Sequence, residues 1–241
     1  ILFSGQMANT NLLSETLLHK KEESLPESGI NHWLTPIAYP LGCYIILPAY
    51  FKKIVITGQE NVPSNDPVIV APTHRSRWDA LLVPSAVGKL VSGREVRFMV
   101  SANEMQGAQG WIIRRMGGFP VNTRHPGLSS LLKSVELLSL GEMVVIFPEG
   151  GIFRDKVVHP LKPGVARIAL EVESHNPNSG IKILPVSIHY SQPIPDWGTE
   201  VRVDIGTPID VAKYLNEPIK IATDTLTDEL THRLKILHEG A

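Results

Sequence analysis

From residue 54 onward the sequence alternates between short runs rich in β-branched residues and segments with the apolar period of a helix. The strand-like runs are residues 54–57, 68–71, 96–100, 119–122, 144–147, 181–188 and 201–205. The clearest helical segments are residues 78–90, 128–140, 165–173 and 219–237. Strands that alternate with helices form a sheet on which the helices bury their apolar sides. We therefore predict an α/β domain over residues 54–241, with a mixed central sheet and helices on both faces.

The residues before this domain follow a different pattern. Residues 1–32 are polar and mixed in charge, and we expect them to be mobile. Residues 33–51 carry no charge and approach the length of a bilayer span. The residues that would interrupt a single straight helix there are Pro36, Pro40, Gly42 and Pro48. With aromatic residues suited to a membrane boundary, this pattern predicts a membrane-associating helical hairpin over residues 33–53. The alternative is a buried pair of core helices.

The charge balance and the single cysteine limit the partners and the compartment. The 241 residues include 23 basic and 24 acidic side chains, and this near-neutral balance does not favour a nucleic-acid partner. The middle of the chain is nevertheless cationic, with nine basic and three acidic residues between positions 73 and 133. Cys43 alone cannot form an internal disulfide, which is typical of a chain in a reducing compartment.

Several common catalytic signatures are missing from the sequence. There is no G-x-G-x-x-G dinucleotide loop and no G-x-x-x-x-G-K-[ST] phosphate loop. There is also no H-E-x-x-H zinc motif and no G-x-S-x-G nucleophile elbow. The chemistry must therefore come from other residues.

His74 and Asp79 form the first candidate pair. His74 follows an apolar strand and Asp79 begins a helical pattern, at the kind of strand end where open α/β sheets bind ligands. Two side chains five positions apart on one helix point about 140° apart, so these two meet only if the chain turns between them. If they meet, the carboxylate engages one imidazole nitrogen and leaves the other free to take a proton. In isolation, this spacing is more typical of a buried histidine beside a helix-start aspartate.

Two further elements combine glycines with a charged residue near the end of a predicted strand. One strand is followed by Pro148, Glu149, Gly150 and Gly151. The glycines allow a ligand to approach the backbone, and the carboxylate could bind hydroxyls or position a basic group. The other element begins at a glycine pair and delivers Arg124, a side chain suited to bidentate phosphate recognition, although most arginines are simply solvated.

In order and spacing, these elements resemble the glycerolipid acyltransferase family, which includes the 1-acylglycerol-3-phosphate (lysophosphatidate) acyltransferases. The resemblance covers roughly residues 54–190. Its blocks are H-x-x-x-x-D at His74 and Asp79, a glycine-to-arginine block at residues 118–124, F-P-E-G at residues 147–150, and an apolar proline block at residues 184–188. The chain departs from the family at Thr73, where asparagine is frequent, and at Gly151, where threonine or serine is frequent. The arginine expected shortly after F-P-E-G is displaced to Arg154.

The resemblance implies transfer of a fatty acyl group from acyl-CoA or acyl carrier protein to the free hydroxyl of 1-acylglycerol-3-phosphate, giving phosphatidic acid without a cofactor. It assigns the general base to His74 and the orientation of its ring to Asp79. The substrate-binding residues that it implies are Arg124, Glu149, Gly150, Gly151 and Arg154. A covalent acyl-enzyme is not required, in keeping with the position of Cys43 in the apolar segment, far from His74 in sequence.

Other interpretations remain open at this point. The same blocks would serve a glycerol-3-phosphate or a lysophospholipid-remodelling acyltransferase, and a non-catalytic membrane lipid-binding module could keep the fold. A metal hydrolase that uses several of the nine histidines is less favoured, because no third ligand stands at a recognisable spacing. We expect a membrane-associated enzyme on the cytoplasmic face, with membrane lipids and an acyl thioester donor as its partners. The motifs define neither the choice of donor nor the oligomeric state.

Overall fold

The computed structural model describes residues 34–121 and 128–240. The helices are α1 (Thr35–Pro40), α2 (Leu47–Tyr50), α3 (Asp79–Val87), α4 (Lys89–Ser92), α5 (Gly107–Arg115), α6 (Leu128–Ser139), α7 (Gly164–His175) and α8 (Ile219–Glu239). A π-helical segment, Leu41–Ile46, joins α1 to α2. The strands are β1 (Lys53–Thr57), β2 (Val68–Pro72), β3 (Val96–Ser101), β4 (Gly118–Val121), β5 (Met143–Val145), β6 (Lys182–Tyr190), β7 (Glu200–Ile205) and β8 (Ile209–Asp210).

Within the described part of the chain, the strands form one mixed sheet in the order β1-β7-β6-β2-β5-β3-β4, with β8 also paired to β6. The five strands from β6 to β4 in this order are parallel. β7 and β8 run antiparallel to β6, and β1 pairs parallel with β7. The mixed α/β sheet predicted from the alternating pattern is therefore confirmed. Because the five parallel strands end at the same edge, residues that follow β2, β5 and β6 lie close together.

Helices cover both faces of the sheet, and the side chains of β2 show why. Val68 and Val70 pack on one face with apolar residues of α2 and α3, whereas Ile69 and Ala71 pack on the other with residues of α6, α7 and α8. All four side chains are fully buried. Burying a side chain such as valine or isoleucine contributes about 1.5–3 kcal/mol. A strand that is apolar on both sides therefore requires helices on both faces.

The backbone from Leu34 to Tyr50 stays helical without a reversal, so the hairpin predicted over residues 33–53 is not seen in the described residues. Pro36 and Pro48 lie in the first turns of α1 and α2, where a missing N–H costs little. Between α1 and α2 the helix widens, and the N–H of Leu47 bonds the carbonyl of Gly42 in a π-type pattern. The prolines are thus accommodated within a helix that continues through the π-helical segment, and the backbone does not turn back.

One side of this N-terminal helix, α1 to α2, is buried and the other is apolar and exposed. Tyr39 and Leu47 face inward. Tyr44 and Ile45 are 68% and 60% exposed. Among the described residues, no helix has both the length and the apolar character that crossing a bilayer requires. The predictions for residues 1–32 and for Arg124 concern residues outside the described ranges.

Candidate active site

The structure brings His74 and Asp79 together. β2 ends at Pro72 and α3 begins at Asp79, so residues 73–78 supply the turn that the spacing requires. The Nδ1 atom of His74 lies 2.9 Å from Oδ2 of Asp79. The aspartate side chain is fully buried, and that of His74 is 19% exposed. With Nδ1–H donated to the carboxylate, Nε2 on the opposite edge of the ring is the nitrogen that can accept a proton.

The carboxylate of Asp79 is held by three further donors. Its Oδ2 accepts the backbone N–H groups of Arg75 at 2.6 Å and Ser76 at 2.9 Å. Its Oδ1 accepts the hydroxyl of Tyr190 at 2.6 Å. Burial and the neighbouring carboxylate raise the pKa of Tyr190, so its hydroxyl remains a donor. These contacts fix the orientation of Asp79 and, through it, of the His74 ring.

Residues after β5 complete the surroundings of His74. The ring of Phe147 stacks on the imidazole with centroids 3.9 Å apart and planes 20° apart. The backbone N–H of His74 donates to Oε2 of Glu149 at 2.9 Å. β2 and β5 are parallel neighbours, so their ends meet at the same edge of the sheet. The F-P-E-G block therefore reaches His74 from the adjacent strand.

Glu149 forms a buried ion pair with Arg75. The Nη1 atom of Arg75 lies 2.8 Å from Oε2 of Glu149, and Nη2 lies 3.1 Å from Oε1. Oε1 also accepts the backbone N–H of His159 at 3.0 Å. Both side chains are almost wholly buried. Glu149 therefore holds the guanidinium of Arg75 and does not line the neighbouring cavity, whereas Gly150 and Gly151 do.

The site opens into a cavity of about 1420 Å³. Its apolar walls include Tyr39, Leu81, Phe98, Ile112, Phe147 and Ile168. Cys43 lines the same cavity as His74, although the two residues are far apart in sequence. Burial raises the pKa of the Cys43 thiol, which keeps it in its weakly nucleophilic form. The space suits a long apolar group beside the imidazole.

Basic side chains also line this cavity, among them Arg77, Lys162 and Arg167. The Nζ atom of Lys162 would lie 2.5 Å from a β-carbon added to Gly150, so the lysine is folded directly over that glycine. Arg77 is paired with Glu104 at 3.0 Å. Arg154 is exposed on the segment that follows Gly151.

Within residues 34–121 and 128–240, no three His, Cys, Asp or Glu side chains are grouped so as to hold a metal ion. The six histidines in the described ranges therefore form no such group. The imidazole of His74 is engaged by Asp79 instead.

Known proteins resemble this chain in sequence and in fold. The model of the Acyltransferase family matches residues 53–189. The chain is 25% identical to 1-acyl-sn-glycerol-3-phosphate acyltransferase of Bacillus subtilis over 194 residues, which cover 76% of this chain and 87% of that protein. It is 28% identical to a chloroplastic 1-acyl-sn-glycerol-3-phosphate acyltransferase of Brassica napus, over 76% of this chain and 50% of the plant protein. The chain thus spans about half of the plant protein's length.

A solved structure has a similar fold. The crystal structure of the 1-acyl-sn-glycerophosphate (LPA) acyltransferase PlsC from Thermotoga maritima aligns with a TM-score of 0.55 at 24% identity, covering 80% of each chain. This likeness concerns the arrangement of the sheet and helices. The matched segment of the family model includes both His74 and Asp79, as well as Arg75 and Glu149.

Proposed function

Because this chain belongs to the Acyltransferase family, we propose that it moves a fatty acyl group from an acyl thioester to the free hydroxyl of 1-acylglycerol-3-phosphate, giving phosphatidic acid. The observation that carries the proposal is the His74–Asp79 pair, with the imidazole of His74 in the wall of a large apolar cavity. The names of the bacterial and plant relatives support the choice of acceptor. The thioester is acyl-CoA or acyl carrier protein.

In the proposed mechanism, Nε2 of His74 takes the proton of the acceptor hydroxyl while the oxygen attacks the thioester carbonyl carbon. The buried carboxylate of Asp79 stabilises the imidazolium that forms. The tetrahedral oxyanion then collapses, the C–S bond breaks, and the leaving sulfur takes the proton back from His74. The backbone N–H of Gly151, which lines the cavity, is suited to stabilise the oxyanion, whereas that of Gly150 donates to the carbonyl of Phe147 at 3.1 Å.

For the phosphate of the acceptor, we propose Lys162 together with Arg124 and Arg154. Lys162 lines the cavity and lies over Gly150, two residues beyond Pro148. Its backbone N–H donates to the carbonyl of Pro148 at 2.9 Å, which ties the lysine to the strand end. Arg124 and Arg154 are included because of the family resemblance, which assigns phosphate contacts to these blocks.

Replacing Lys162 with glutamine is expected to raise the KM for lysophosphatidate about tenfold or more, because a hydrogen bond to a charged group contributes about 1.5–3 kcal/mol. The KM for the acyl donor should change little. Lys156→Gln is the matched control, since Lys156 is exposed on the same segment and does not line the cavity. Steady-state kinetics with both substrates varied measure the effect. If wild type and Lys162→Gln have equal KM values for lysophosphatidate, Lys162 does not bind the acceptor phosphate.

A panel of acceptors tests the proposed reaction. The purified protein is given one acyl-CoA with lysophosphatidate, glycerol-3-phosphate or lysophosphatidylcholine, and products are identified by mass spectrometry. We expect phosphatidic acid to be the main product. Turnover of glycerol-3-phosphate but not of lysophosphatidate would indicate a glycerol-3-phosphate acyltransferase. Binding of the lipids without turnover would indicate a lipid-binding module.

We also propose that the protein associates with the cytoplasmic face of a membrane through the N-terminal helix and α5. Their exposed apolar side chains are Ile37, Tyr44, Ile45, Trp111 and Ile112. Both elements also line the cavity, so contact with a bilayer would place the cavity beside the lipids. Basic residues adjoin both elements: Lys52 follows α2, and Arg115 stacks on Trp111 at 4.3 Å. This combination suits an anionic lipid surface.

The double variant Tyr44→Ser/Ile45→Ser is expected to weaken binding to vesicles that contain phosphatidylglycerol by about tenfold or more, since burying one such side chain contributes about 1.5–3 kcal/mol. Co-sedimentation measures the binding. Ile236→Ser is the control, because Ile236 is equally exposed on α8 but lies on a helix of the opposite sheet face. Undiminished sedimentation of the double variant would contradict the proposed membrane face.

A further inference from the structure

A buried polar network connects the C-terminal helix α8 to the segment that carries His74. His238, near the end of α8, is 3% exposed and accepts a hydrogen bond at Nε2 from Nε of Arg75 at 3.1 Å. Its Nδ1 lies 2.9 Å from the hydroxyl oxygen of Ser187 in β6. His238 lies outside the segment that matches the family model, which ends at residue 189. The family match therefore assigns it no role.

The contacts define the tautomer and the charge of His238. An arginine Nε can only donate, so Nε2 of His238 must be unprotonated. Nδ1 then carries the hydrogen and donates to the Ser187 oxygen. Burial, followed by the neighbouring His189 and Arg75, lowers the pKa of His238 to about 3. The ring is therefore neutral at neutral pH, as the contact with Arg75 requires.

His238 completes the contacts that orient the Arg75 guanidinium. Nη1 of Arg75 donates to the carbonyl of His74 at 3.2 Å and to Glu149. Nη2 donates to Glu149 and to the carbonyl of Val157 at 3.0 Å. Nε, on the remaining edge, donates to His238. The imidazole of His238 thus fixes the rotation of the planar Arg75 guanidinium, which in turn orients Glu149.

Glu149 transmits this orientation to His74 because it accepts the backbone N–H of that residue. A second contact ties the end of α8 to the same region: Oε1 of Glu239 accepts the N–H of Val158 at 2.9 Å. The path from His238 to His74 therefore runs through Arg75 and Glu149, and each step is a hydrogen bond. Asp79 contacts this path at the backbone N–H of Arg75.

We propose that His238 is a positioning residue for acyl transfer, which holds Arg75 and Glu149 so that the backbone at His74 places the imidazole against the acceptor hydroxyl. This inference rests on the proposed function. If His238 is replaced by leucine, Nε of Arg75 loses its acceptor in a buried site, and the Arg75–Glu149 pair is free to shift. A displacement of about 1 Å at the reacting atoms can cost about 10²-fold in rate.

The test compares His238→Leu with His238→Gln, two replacements of similar size. Glutamine can accept from Arg75 with its amide oxygen and donate to Ser187 with its amide nitrogen. We expect His238→Leu to lower kcat about 10- to 100-fold with little change in either KM. His238→Gln should keep most of the wild-type kcat. We expect the two variants to unfold at similar temperatures, so that stability does not explain their difference in kcat. His232→Leu, at an exposed position of the same helix, should match the wild type.

The outcomes separate the inference from the proposed function. An unchanged kcat in His238→Leu, or equal losses in the leucine and glutamine variants, would overturn the positioning role while leaving acyl transfer intact. If the leucine variant does not fold, Ser187→Ala serves in its place, and an unchanged kcat there has the same meaning. A wild type without acyl transfer would end the proposed function. The ¹⁵N shifts of His238 would then still test the network, which requires the Nδ1–H tautomer and is contradicted by Nε2–H.

Discussion

Replacing His74 with alanine is expected to lower kcat for acyl transfer about 10²- to 10⁴-fold, the usual contribution of a general base. The acceptor hydroxyl would then have no base beside it, because the carboxylate of Asp79 is fully buried behind the imidazole. The KM values should change little, since the side chain contacts the reacting hydroxyl rather than the phosphate or the acyl chain. Initial rates of phosphatidate formation measure the effect.

The control for this substitution is His232→Ala, because His232 is an exposed histidine on α8 that does not line the cavity. The His74→Ala variant should unfold within a few degrees of the wild type, since its ring lies at the cavity wall. Activity within tenfold of the wild type would contradict the assignment of His74 as the general base.

The largest expected effect on stability comes from breaking the Arg75–Glu149 pair. Replacing Glu149 with leucine should lower the free energy of unfolding by about 3–5 kcal/mol, because a buried guanidinium is left without its counter-charge. The backbone N–H groups of His74 and His159 would lose their acceptor at the same time. Urea denaturation followed by circular dichroism measures the change.

Two further variants show whether the loss comes from the unpaired charge. The double variant Arg75→Leu/Glu149→Leu should recover part of the stability, since it removes the uncompensated guanidinium as well. Glu229→Leu breaks a partly exposed pair with Arg233 at 2.7 Å and should cost only about 0–1 kcal/mol. A change in Glu149→Leu as small as that in Glu229→Leu would contradict the role of the buried pair.

The sequence predicted most of the sheet because its strands carry a strong local pattern. The boundaries of the helices were less predictable, as Gly88 and Gly110 illustrate. The segment predicted as one helix over residues 78–90 divides at Gly88, whose extended backbone ends α3. α5 was not predicted, because its glycines disfavour a helix. Gly110 is required there by packing, since a β-carbon would lie 2.1 Å from the backbone of Met105. Such close approaches depend on tertiary structure.

The candidate site was only partly predictable from the sequence, because some of its contacts also depend on tertiary structure. The turn between His74 and Asp79 follows from local sequence, and the structure contains it. Tyr190 and His238 could not be found in this way, because they reach the site only through the pairing of β6 with β2 and the packing of α8. The sequence did contain one signal for Arg75. This arginine directly follows His74, and Glu149 was expected to bind hydroxyls or to position a basic group. The hairpin predicted over residues 33–53 is not seen in residues 34–50, where the backbone stays helical through the π-helical segment.

Cys43 offers a chemical alternative to direct transfer of the acyl group from the thioester to the acceptor hydroxyl. Its thiol lies in the same cavity as His74, so a covalent acyl-thioenzyme is the main chemical alternative. The raised pKa of the thiol argues against it. Cys43→Ala is accordingly expected to keep the acyl-transfer rate of the wild type within about threefold, as removing a non-catalytic thiol should do.

The most direct test of acyl transfer from thioester to hydroxyl is the release of free thiol from acyl-CoA, followed in rapid mixing with and without lysophosphatidate. We expect thiol release only when the acceptor is present, in a 1:1 ratio to phosphatidate and without a burst. A stoichiometric burst in the absence of acceptor that disappears in Cys43→Ala would show a covalent intermediate. Continuous release without acceptor would show a thioester hydrolase, and either result would contradict direct attack by a hydroxyl that His74 activates.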